Sequence, residues 1–289
     1  MTDDRWQIAY LGYLVSAIGY SKMNPSVERF TGFAQVYDQV RPSPPEAIAD
    51  LLLQFAKLET AERVVDLGCG SGLSMMMWVG RTRSITGVEP SQDMRREAER
   101  RCSNLFPLRA VEWTSAEADA TQIAAESVDI VTASQSFHWM NPETTLPEVT
   151  RILRPGGVFA AIDCDWPPSV LPELELAYNE CVANADHPQY ADIRLARVKS
   201  WSKHQHLENI RRNGCFRIAR ESTFHKVELG DTERLVGLAR SQGSVAAILR
   251  AGISEEEVGL VELRRTGQRL LGDRQIPWFW SYRVRIGVK

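Results

Sequence analysis

A glycine-rich turn follows an apolar stretch that is typical of a buried strand. In the segment RVVDLGCGSG, the acid Asp66 is followed by Gly68, Gly70 and Gly72. Glycines between a strand and a helix let a ligand approach the backbone, and the amide groups at the start of a helix bind the anionic groups of nucleotides. The residue types and their spacing therefore predict a nucleotide site at this turn.

The spacing of the glycines separates two classes of nucleotide. The dinucleotide fingerprint GxGxxG needs its third glycine one position later, and Leu73 stands where a small residue would let helix and strand pack closely. An acid two residues before the first glycine is an unfavourable neighbour for a pyrophosphate. It suits a nucleotide whose other half is cationic. A nicotinamide-dependent oxidoreductase, which would bind a dinucleotide at this turn, remains the alternative interpretation.

Polar and aromatic residues follow two later apolar stretches. His138 and Trp139 come after VDIVTAS, and Asp165 and Trp166 come after VFAAID. If both stretches are parallel strands, these residues lie at the sheet edge where α/β proteins bind ligands, and the last three are predicted to line a substrate pocket. His138 is a candidate base, because the pKa of imidazole lies near neutral. The alternatives are a packed histidine that holds a loop and, for Asp165, a role in the turn.

Strand and helix patterns alternate between residues 46 and 165, and these elements must position the polar residues. Apolar runs of strand length are interleaved with segments of helical spacing. This alternation predicts an α/β fold with a doubly wound, mostly parallel sheet and right-handed crossovers. The predicted strands are RVVDL, SITGVE, LRAVEW, SVDIVTASQS and VFAAID, and the predicted helices include PPEAIADLLLQFAK, LSMMMWV, SQDMRREAERRC and PETTLPEVTRILRPGG.

The pattern changes after the fifth strand. A mostly helical stretch is predicted to form a cap that selects the substrate, and two strand patterns, FRIARESTFHKVEL and WFWSYRVRIGV, flank two helical stretches near the end of the chain. Ser241 and Gln242 are expected to form another wall of the substrate pocket. The basic residues Arg194, Arg197, Lys199 and Lys203 are interpreted as a solvated helix face, and the alternative is that one of them binds an acidic substrate. The predicted units are an N-terminal helical segment (1–45) and one domain (46–289) with a nucleotide-binding half (about 46–165), the cap (about 166–213) and C-terminal strands and helices (214–289).

Five segments of the first half share their order and spacing with one enzyme family. VVDLGCGSG, TGVEPS, SAEADA, VDIVTAS and RILRPGGVFAAID resemble, in that order, the motifs of class I S-adenosylmethionine-dependent methyltransferases of the small-molecule group. The resemblance covers roughly residues 30 to 165. It implies a seven-stranded Rossmann-like sheet, S-adenosylmethionine as the cofactor and S-adenosylhomocysteine as its product.

The same resemblance assigns residues to the cofactor. Glu89 lies about 20 residues beyond the glycines, where an acid accepts hydrogen bonds from ribose hydroxyls. SAEADA is similar to the segment that frames the adenine. The cofactor residues implied in this way are Asp66, Gly68, Cys69, Gly70, Gly72, Glu89, Pro90, Met94, Ala116, Glu117, Ser134 and Gln135.

Two further segments point to a subgroup of the family. FAQVYDQVRPSPP and QSFHWM resemble segments of methyltransferases similar to trans-aconitate methyltransferases. On this resemblance the N-terminal segment (1–45) closes over the cofactor, and Tyr37 and Arg41 lie near its methionine end. Arg41 is expected to pair with the methionine carboxylate, because a guanidinium matches that planar anion with two hydrogen bonds.

The expected reaction is direct, in-line transfer of the methyl group to a small molecule at an oxygen atom, without a covalent enzyme intermediate. A carboxylate acceptor needs only orientation. A hydroxyl acceptor must lose a proton, and His138 is the candidate base for that case. A binding protein that retains the cofactor site but has lost its chemistry is the third interpretation.

Composition limits the partners. The net charge of −3 does not attract nucleic acid or an anionic membrane. Five scattered cysteines without a CxxC pair indicate neither a metal site nor a disulfide framework, which predicts reduced thiols in a cytoplasmic protein. The apolar segment IAYLGYLVSAIGY is too short to cross a bilayer, so it is expected to pack on the domain or to form a homodimer contact.

Overall fold

Five strands of the first half run parallel and alternate with helices. The computed structural model describes residues 40–107, 110–194 and 199–289. Tyr37 and most of the predicted N-terminal segment lie outside the described residues. The elements of the first half are α1 (Ala47–Ala56), β1 (Ala61–Leu67), a 3₁₀-helix (Ser74–Trp78), β2 (Thr82–Val88), α2 (Gln92–Cys102), β3 (Val111–Thr114), β4 (Val128–Ser134), a 3₁₀-helix (Phe137–Trp139), α3 (Pro142–Ile152) and β5 (Leu153–Cys164).

Local residue choices explain most of these boundaries. The side chain of Ser91 accepts a hydrogen bond from the backbone N–H of Met94 and so caps α2. Asn141 caps α3 in the same way through the N–H of Glu143. The chain leaves α3 at Ile152, earlier than predicted, because a residue before a proline is disfavoured in the helical conformation and Pro155 follows closely.

The second half adds two long strands and several helices. Trp278 and Trp280 of the last strand are fully buried in the core between the sheet and these helices. The elements are α4 (Pro172–Asp186), a 3₁₀-helix (Pro188–Tyr190), α5 (Ala191–Arg194), a 3₁₀-helix (Lys203–Gln205), α6 (His206–Arg212), β6 (Ile218–Gly230), α7 (Thr232–Arg240), α8 (Gly243–Arg250), α9 (Glu255–Val258), α10 (Leu260–Leu271) and β7 (Ile276–Val288).

The seven strands form one sheet in the order β3-β2-β1-β4-β5-β7-β6. Strands β1 to β5 are parallel, whereas β7 is antiparallel to both β5 and β6. The chain moves outward from β1 to β3 and then returns to place β4 on the other side of β1. The strand order therefore reverses between β1 and β4, and in α/β sheets ligands bind beyond the carboxyl ends of the strands at such a point.

The predicted seven-stranded, mostly parallel methyltransferase-like sheet is confirmed, with two local differences. The predicted helix through LSMMMWV is a 3₁₀-helix, because only a few residues separate the glycine turn from the next turn at Gly80. The two C-terminal helical stretches are four helices, and Gly259 separates two of them with a left-handed φ of 96°. No helix among the described residues is long and apolar enough to span a membrane.

Candidate functional site

A cavity of about 350 Å³ opens beyond the carboxyl ends of β1, β2 and β4. The loops that follow the first four strands form most of its wall, as expected at the point where the strand order reverses. The predicted site residues that line it are Arg41, Gly68, Cys69, Gly70, Glu89, Pro90, Met94, Ala116, Glu117, Ser134, Gln135, Trp139 and Trp166.

The glycine turn after β1 presents backbone to the cavity. Gly68 has a φ of 62°, and a Cβ there would lie 2.7 Å from the Cβ of Ser136, so a larger residue would be both strained and crowded. Gly70 also has a positive φ, of 55°, but no atom lies within 4 Å of its Cβ position. Open space beside Gly70 leaves room for a ligand against the backbone. Gly72 packs against Ala98 of α2 instead, and it does not line the cavity.

Glu89 joins the ends of two strands on the cavity wall. One of its carboxylate oxygens accepts the backbone N–H of Gly70 at 3.0 Å, and the other accepts that of Ser91 at 2.8 Å. Burial nevertheless raises the pKa of Glu89, since only 9% of the residue is exposed. The two amides hold this carboxylate in a fixed orientation, and each oxygen retains a lone pair for a ligand hydroxyl.

Asp66 lies beneath the glycine turn, not on the cavity wall. It is fully buried, and its carboxylate accepts hydrogen bonds from the hydroxyl of Thr132, at 2.7 Å, and from that of Ser74. Burial raises the pKa of Asp66 to about 6. Asp66 thus braces β1 against β4 and the first 3₁₀-helix. Asp66 and Gly72 were predicted to contact the cofactor, but neither residue lines the cavity.

His138 lies behind the wall, although its neighbour Trp139 is on it. The imidazole packs against the Trp139 ring at a centroid distance of 4.4 Å, and its Nδ1 lies 3.9 Å from a carboxylate oxygen of Asp163. The backbone carbonyl of His138 accepts the N–H of Trp201, at 2.8 Å. The predicted base is thus not among the residues that line the cavity, in keeping with the alternative of a histidine that holds a loop.

Asp163, near the end of β5, is the centre of a buried ion cluster. Nζ of Lys203 lies 3.1 Å from one of its oxygens, and Nη1 of Arg285 lies 2.8 Å from the other. His206 lies beside the same carboxylate, with its Nε2 at 3.7 Å. Mainly because of burial, and also because of the two cations, the pKa of His206 is lowered to about 4. His138, Asp163 and His206 are close enough for a metal, but the two cations already neutralise the carboxylate.

The ion cluster holds a cavity residue in place. Lys203 also donates to the side-chain oxygen of Gln135, at 2.9 Å. Gln135 follows β4 with a left-handed φ of 53° and lines the cavity. Lys203 is therefore not part of a solvated helix face. Helical spacing made it resemble a surface residue, and only the folded chain brings it to the strand ends.

The other predicted substrate residues lie next to the cavity rather than on it. Ser241 accepts two hydrogen bonds from Arg41, one at its hydroxyl (3.0 Å) and one at its carbonyl (2.8 Å). Gln242 donates to the hydroxyl of Tyr178, at 2.7 Å. Asp165 pairs with Arg283 at the surface, at 3.2 Å. Ser241 therefore holds the lining residue Arg41 and Gln242 holds Tyr178, whereas Asp165 belongs to a surface ion pair.

Several lining residues were missed from the sequence. Trp201 comes from the region of the predicted cap, and Tyr282 comes from β7, far along the chain. Cys164 ends β5, and burial raises the pKa of its thiol to about 12. Tyr282 belongs to a strand pattern, but only the position of β7 beside β5 brings its side chain to the site.

Comparisons with known proteins find sequence similarity to methyltransferases. Residues 65–161 match the model of a methyltransferase domain family. A Saccharomyces cerevisiae protein named as a probable S-adenosylmethionine-dependent methyltransferase, CRG1, is 32% identical over 125 residues, which cover 43% of each chain. The trans-aconitate 2-methyltransferase of Azoarcus is 38% identical over 129 residues, or 44% of this chain and 48% of that one. The alignments thus span less than half of these relatives.

The structural similarity covers more of the chain than the sequence matches do. A candidate type II methyltransferase of Anaeromyxobacter dehalogenans superposes with a TM-score of 0.58, covering 86% of this chain and 97% of that one, at 22% identity. At this identity the likeness establishes the fold. The match to the methyltransferase domain family, at residues 65–161, lies within this shared fold.

Proposed function

We propose that this protein methylates a small molecule at an oxygen atom, with S-adenosylmethionine as the methyl donor. The observation that carries the proposal is the position of Glu89 and the glycine turn. They face the same cavity at the point where the strand order reverses, and two backbone amides orient the carboxylate. This arrangement suits a nucleoside whose ribose hydroxyls donate hydrogen bonds.

Further wall residues have proposed roles in cofactor binding. The ribose would lie at Glu89, and the amino-acid portion would extend along Gly68 and Gly70 toward the end of β4. Residues after β3 and at the start of α2 would enclose the adenine between apolar atoms. The remaining proposed cofactor residues are Cys69, Pro90, Met94, Ala116, Glu117, Ser134 and Gln135.

The side chains around the cavity favour a carboxylate acceptor over a hydroxyl. His138 is not among the lining residues, burial raises the pKa of the Cys164 thiol to about 12, and burial also raises the pKa of the Tyr282 hydroxyl. A base for a hydroxyl proton is therefore not evident among the described residues at this end of the cavity. A carboxylate needs none, because it is already anionic. As the oxygen–carbon bond forms, the sulfur–carbon bond breaks, the electron pair stays on sulfur and no proton is released.

A binding experiment tests the cofactor site. Saturation at a hundred times the dissociation constant stabilises the folded protein by about 2.7 kcal/mol, which thermal denaturation detects. S-adenosylmethionine and S-adenosylhomocysteine are expected to raise the melting temperature, and NAD is not. Stabilisation by NAD alone would instead support the oxidoreductase interpretation. Binding without formation of S-adenosylhomocysteine from any acceptor pool would support a non-catalytic protein.

A variant pair locates the binding to the proposed site. Replacing a carboxylate that accepts ligand hydroxyls removes about 1.5–3 kcal/mol, so Glu89→Gln is expected to weaken S-adenosylhomocysteine binding roughly 10- to 100-fold in calorimetry. Glu112→Gln is the matched control, because Glu112 is an exposed partner of Arg63 outside the cavity. Equal affinities of the two variants would remove Glu89 from the site.

A further inference from the structure

Arg41 is the one basic side chain among the described residues that line the cavity. Its guanidinium lies over the ring of Trp166, 4.4 Å from the centroid, and donates to Ser241 through both Nε and Nη2. Trp166 follows β5, and Ser241 follows α7. These contacts fix the plane of the guanidinium against the second half of the chain.

The charge of Arg41 acts on the same region. It opposes the rise in pKa that burial causes at the Cys164 thiol, at the end of β5, and at the Tyr178 hydroxyl, in α4. Strand β5 is separated from β1 by β4, whereas the glycine turn and Glu89 follow β1 and β2. Arg41 therefore lies toward the side of the cavity opposite the proposed ribose site.

The wall on the Arg41 side is aromatic. Trp166 packs under the guanidinium and Tyr282 is the register partner of Cys164 in β5, and Trp139 and Trp201 complete the aromatic lining of the cavity. Flat, apolar faces favour a ligand that buries a planar hydrophobic group against them. A cation beside such faces suits an anionic group attached to that planar part.

The charge of the whole wall limits the number of anionic groups. Three carboxylates, Glu89, Glu117 and Asp119, line the described cavity against the single guanidinium. A ligand with several carboxylates would find only one cation among the described lining residues, whereas a single carboxylate can be paired with Arg41. A tricarboxylate of the kind that trans-aconitate represents is therefore a poor match for this wall.

We infer that Arg41 binds the methyl acceptor rather than the methionine carboxylate, and that the acceptor is a planar, ring-bearing monocarboxylic acid. One carboxylate oxygen accepts hydrogen bonds from the guanidinium, and the other receives the methyl group to give a methyl ester. The ring packs against the tryptophans of the wall. This inference rests on the proposed function, and it replaces the role that sequence resemblance assigned to Arg41.

The first experiment separates cofactor binding from acceptor binding. Calorimetry compares S-adenosylhomocysteine with 5′-methylthioadenosine, which lacks the amino-acid carboxylate, in the wild type and in Arg41→Gln. Both affinities are expected to change less than about threefold. A loss of about tenfold or more for S-adenosylhomocysteine alone would return Arg41 to the methionine carboxylate and overturn the inference. Arg220→Gln is the matched control, because Arg220 lies over Phe55 outside the cavity.

The second experiment tests the acceptor class. Protein saturated with S-adenosylhomocysteine is titrated with cinnamate, with its uncharged analogue cinnamamide, and with trans-aconitate. Cinnamate is expected to bind at least about tenfold more tightly than either of the others, and Arg41→Gln is expected to abolish the difference. Equal binding of cinnamate and cinnamamide, preference for trans-aconitate, or no binding of cinnamate would overturn the inference.

Two comparisons keep the outcomes distinct. If S-adenosylhomocysteine fails to bind to the wild type, the proposed function itself fails. If it binds but the acids show no preference, only the inference fails. Arg41→Lys covers the case in which Arg41→Gln does not fold, because it keeps the charge but loses the planar pair of donors; partial retention of cinnamate preference is then expected.

Discussion

The two sides of the cavity are built in different ways. The proposed cofactor side, formed by the glycine turn and Glu89, uses backbone and side chains that are close in sequence, since the carboxylate of Glu89 is only 19 positions from the amide of Gly70 that it binds. The proposed acceptor side, around Arg41 and the end of β5, joins distant residues, and Arg41 and Ser241 are 200 positions apart. Short-range contacts can be recognised as a motif, whereas long-range contacts depend on the completed sheet.

The two sides also hold their charges differently. On the cofactor side, hydroxyl and amide groups surround the carboxylates of Asp66 and Glu89. On the acceptor side, the carboxylate of Asp163 lies between the side chains of Lys203 and Arg285. Neutral dipoles can adapt to a change in protonation, but a buried ion cluster depends on every charge within it. We therefore expect a charge-removing substitution to cost most in the Asp163 cluster, and acid to shift the stability contributions of the two sides in opposite directions.

The largest expected effect is on the acceptor side. Asp163→Asn removes the carboxylate that Lys203 and Arg285 share, and Arg285 is 4% exposed. Breaking a buried ion pair by removing one partner costs about 3–5 kcal/mol, and the loss is expected at the lower end of this range because Arg285 keeps a second carboxylate, that of Glu221 at 2.7 Å. We expect the free energy of unfolding, measured with denaturant, to fall by that amount.

Asp50→Asn is the control for this substitution. Asp50 also pairs with an arginine, Arg81, at 2.7 Å, but its side chain is 58% exposed. Exposed pairs contribute about 0–1 kcal/mol, so a small change is expected. Similar losses in the two variants would show that burial does not distinguish the Asp163 cluster, and the contrast between the two sides would be lost.

A smaller effect follows from two buried groups with opposite pKa shifts. The pKa of Asp66 is raised from 3.8 to about 6, so between these values the folded state binds more protons than the unfolded state and acid stabilises the protein. The pKa of His206 is lowered from 6.5 to about 4, so in that range the unfolded state binds more protons and acid destabilises it. Each contribution is roughly 3 kcal/mol, and the two oppose each other.

Single variants separate the two contributions. Relative to the wild type, Asp66→Asn is expected to lose more stability as the pH falls from 7 to 4, and His206→Asn is expected to lose less. The slope of the unfolding free energy against pH is the quantity to measure, since either substitution also shifts stability by a constant amount. Parallel slopes in all three proteins would contradict the assigned pKa directions.

The fold and the cofactor side were predictable because their signals are local. The glycine turn, Glu89 and the cap at Ser91 each lie within a few residues of a strand end, so periodicity and motif spacing identified them. Asp66 shows the limit of such reasoning. The motif indicated that an acid belongs before the glycines, but only the pairing of β1 with β4 reveals that Thr132 and Ser74 occupy its carboxylate.

The acceptor side was less predictable because its partners are distant. Ser241 and Trp166 were predicted as pocket residues, and Arg41 as a cofactor residue, but nothing in their spacing indicated that the three make contact. Lys203 resembled a solvated residue, since a helix pattern does not show which face meets the sheet. Such contacts depend on β7 being inserted between β5 and β6, which no local pattern encodes.

The smallest expected effect concerns His138. A general base contributes about 10²- to 10⁴-fold to turnover, so a catalytic imidazole would make His138→Gln nearly inactive. Because His138 lies behind the wall and a carboxylate acceptor needs no base, we expect turnover to change less than about threefold. Formation of S-adenosylhomocysteine, measured with the acceptor acid, checks this. Trp139→Ala is the comparison variant, because Trp139 is on the wall, and it is expected to lose more.

The pH dependence of the same reaction makes this last prediction sharper. A carboxylate acceptor is ionised throughout the range from about pH 6 to 8, so the rate should be nearly constant there in both the wild type and His138→Gln. A hydroxyl acceptor with a histidine base would instead give a rate that rises through the imidazole pKa, and the variant would lose that rise. A fall of about 100-fold in turnover with unchanged cofactor affinity would bring His138 back into the reaction, and the acceptor would then be a hydroxyl group.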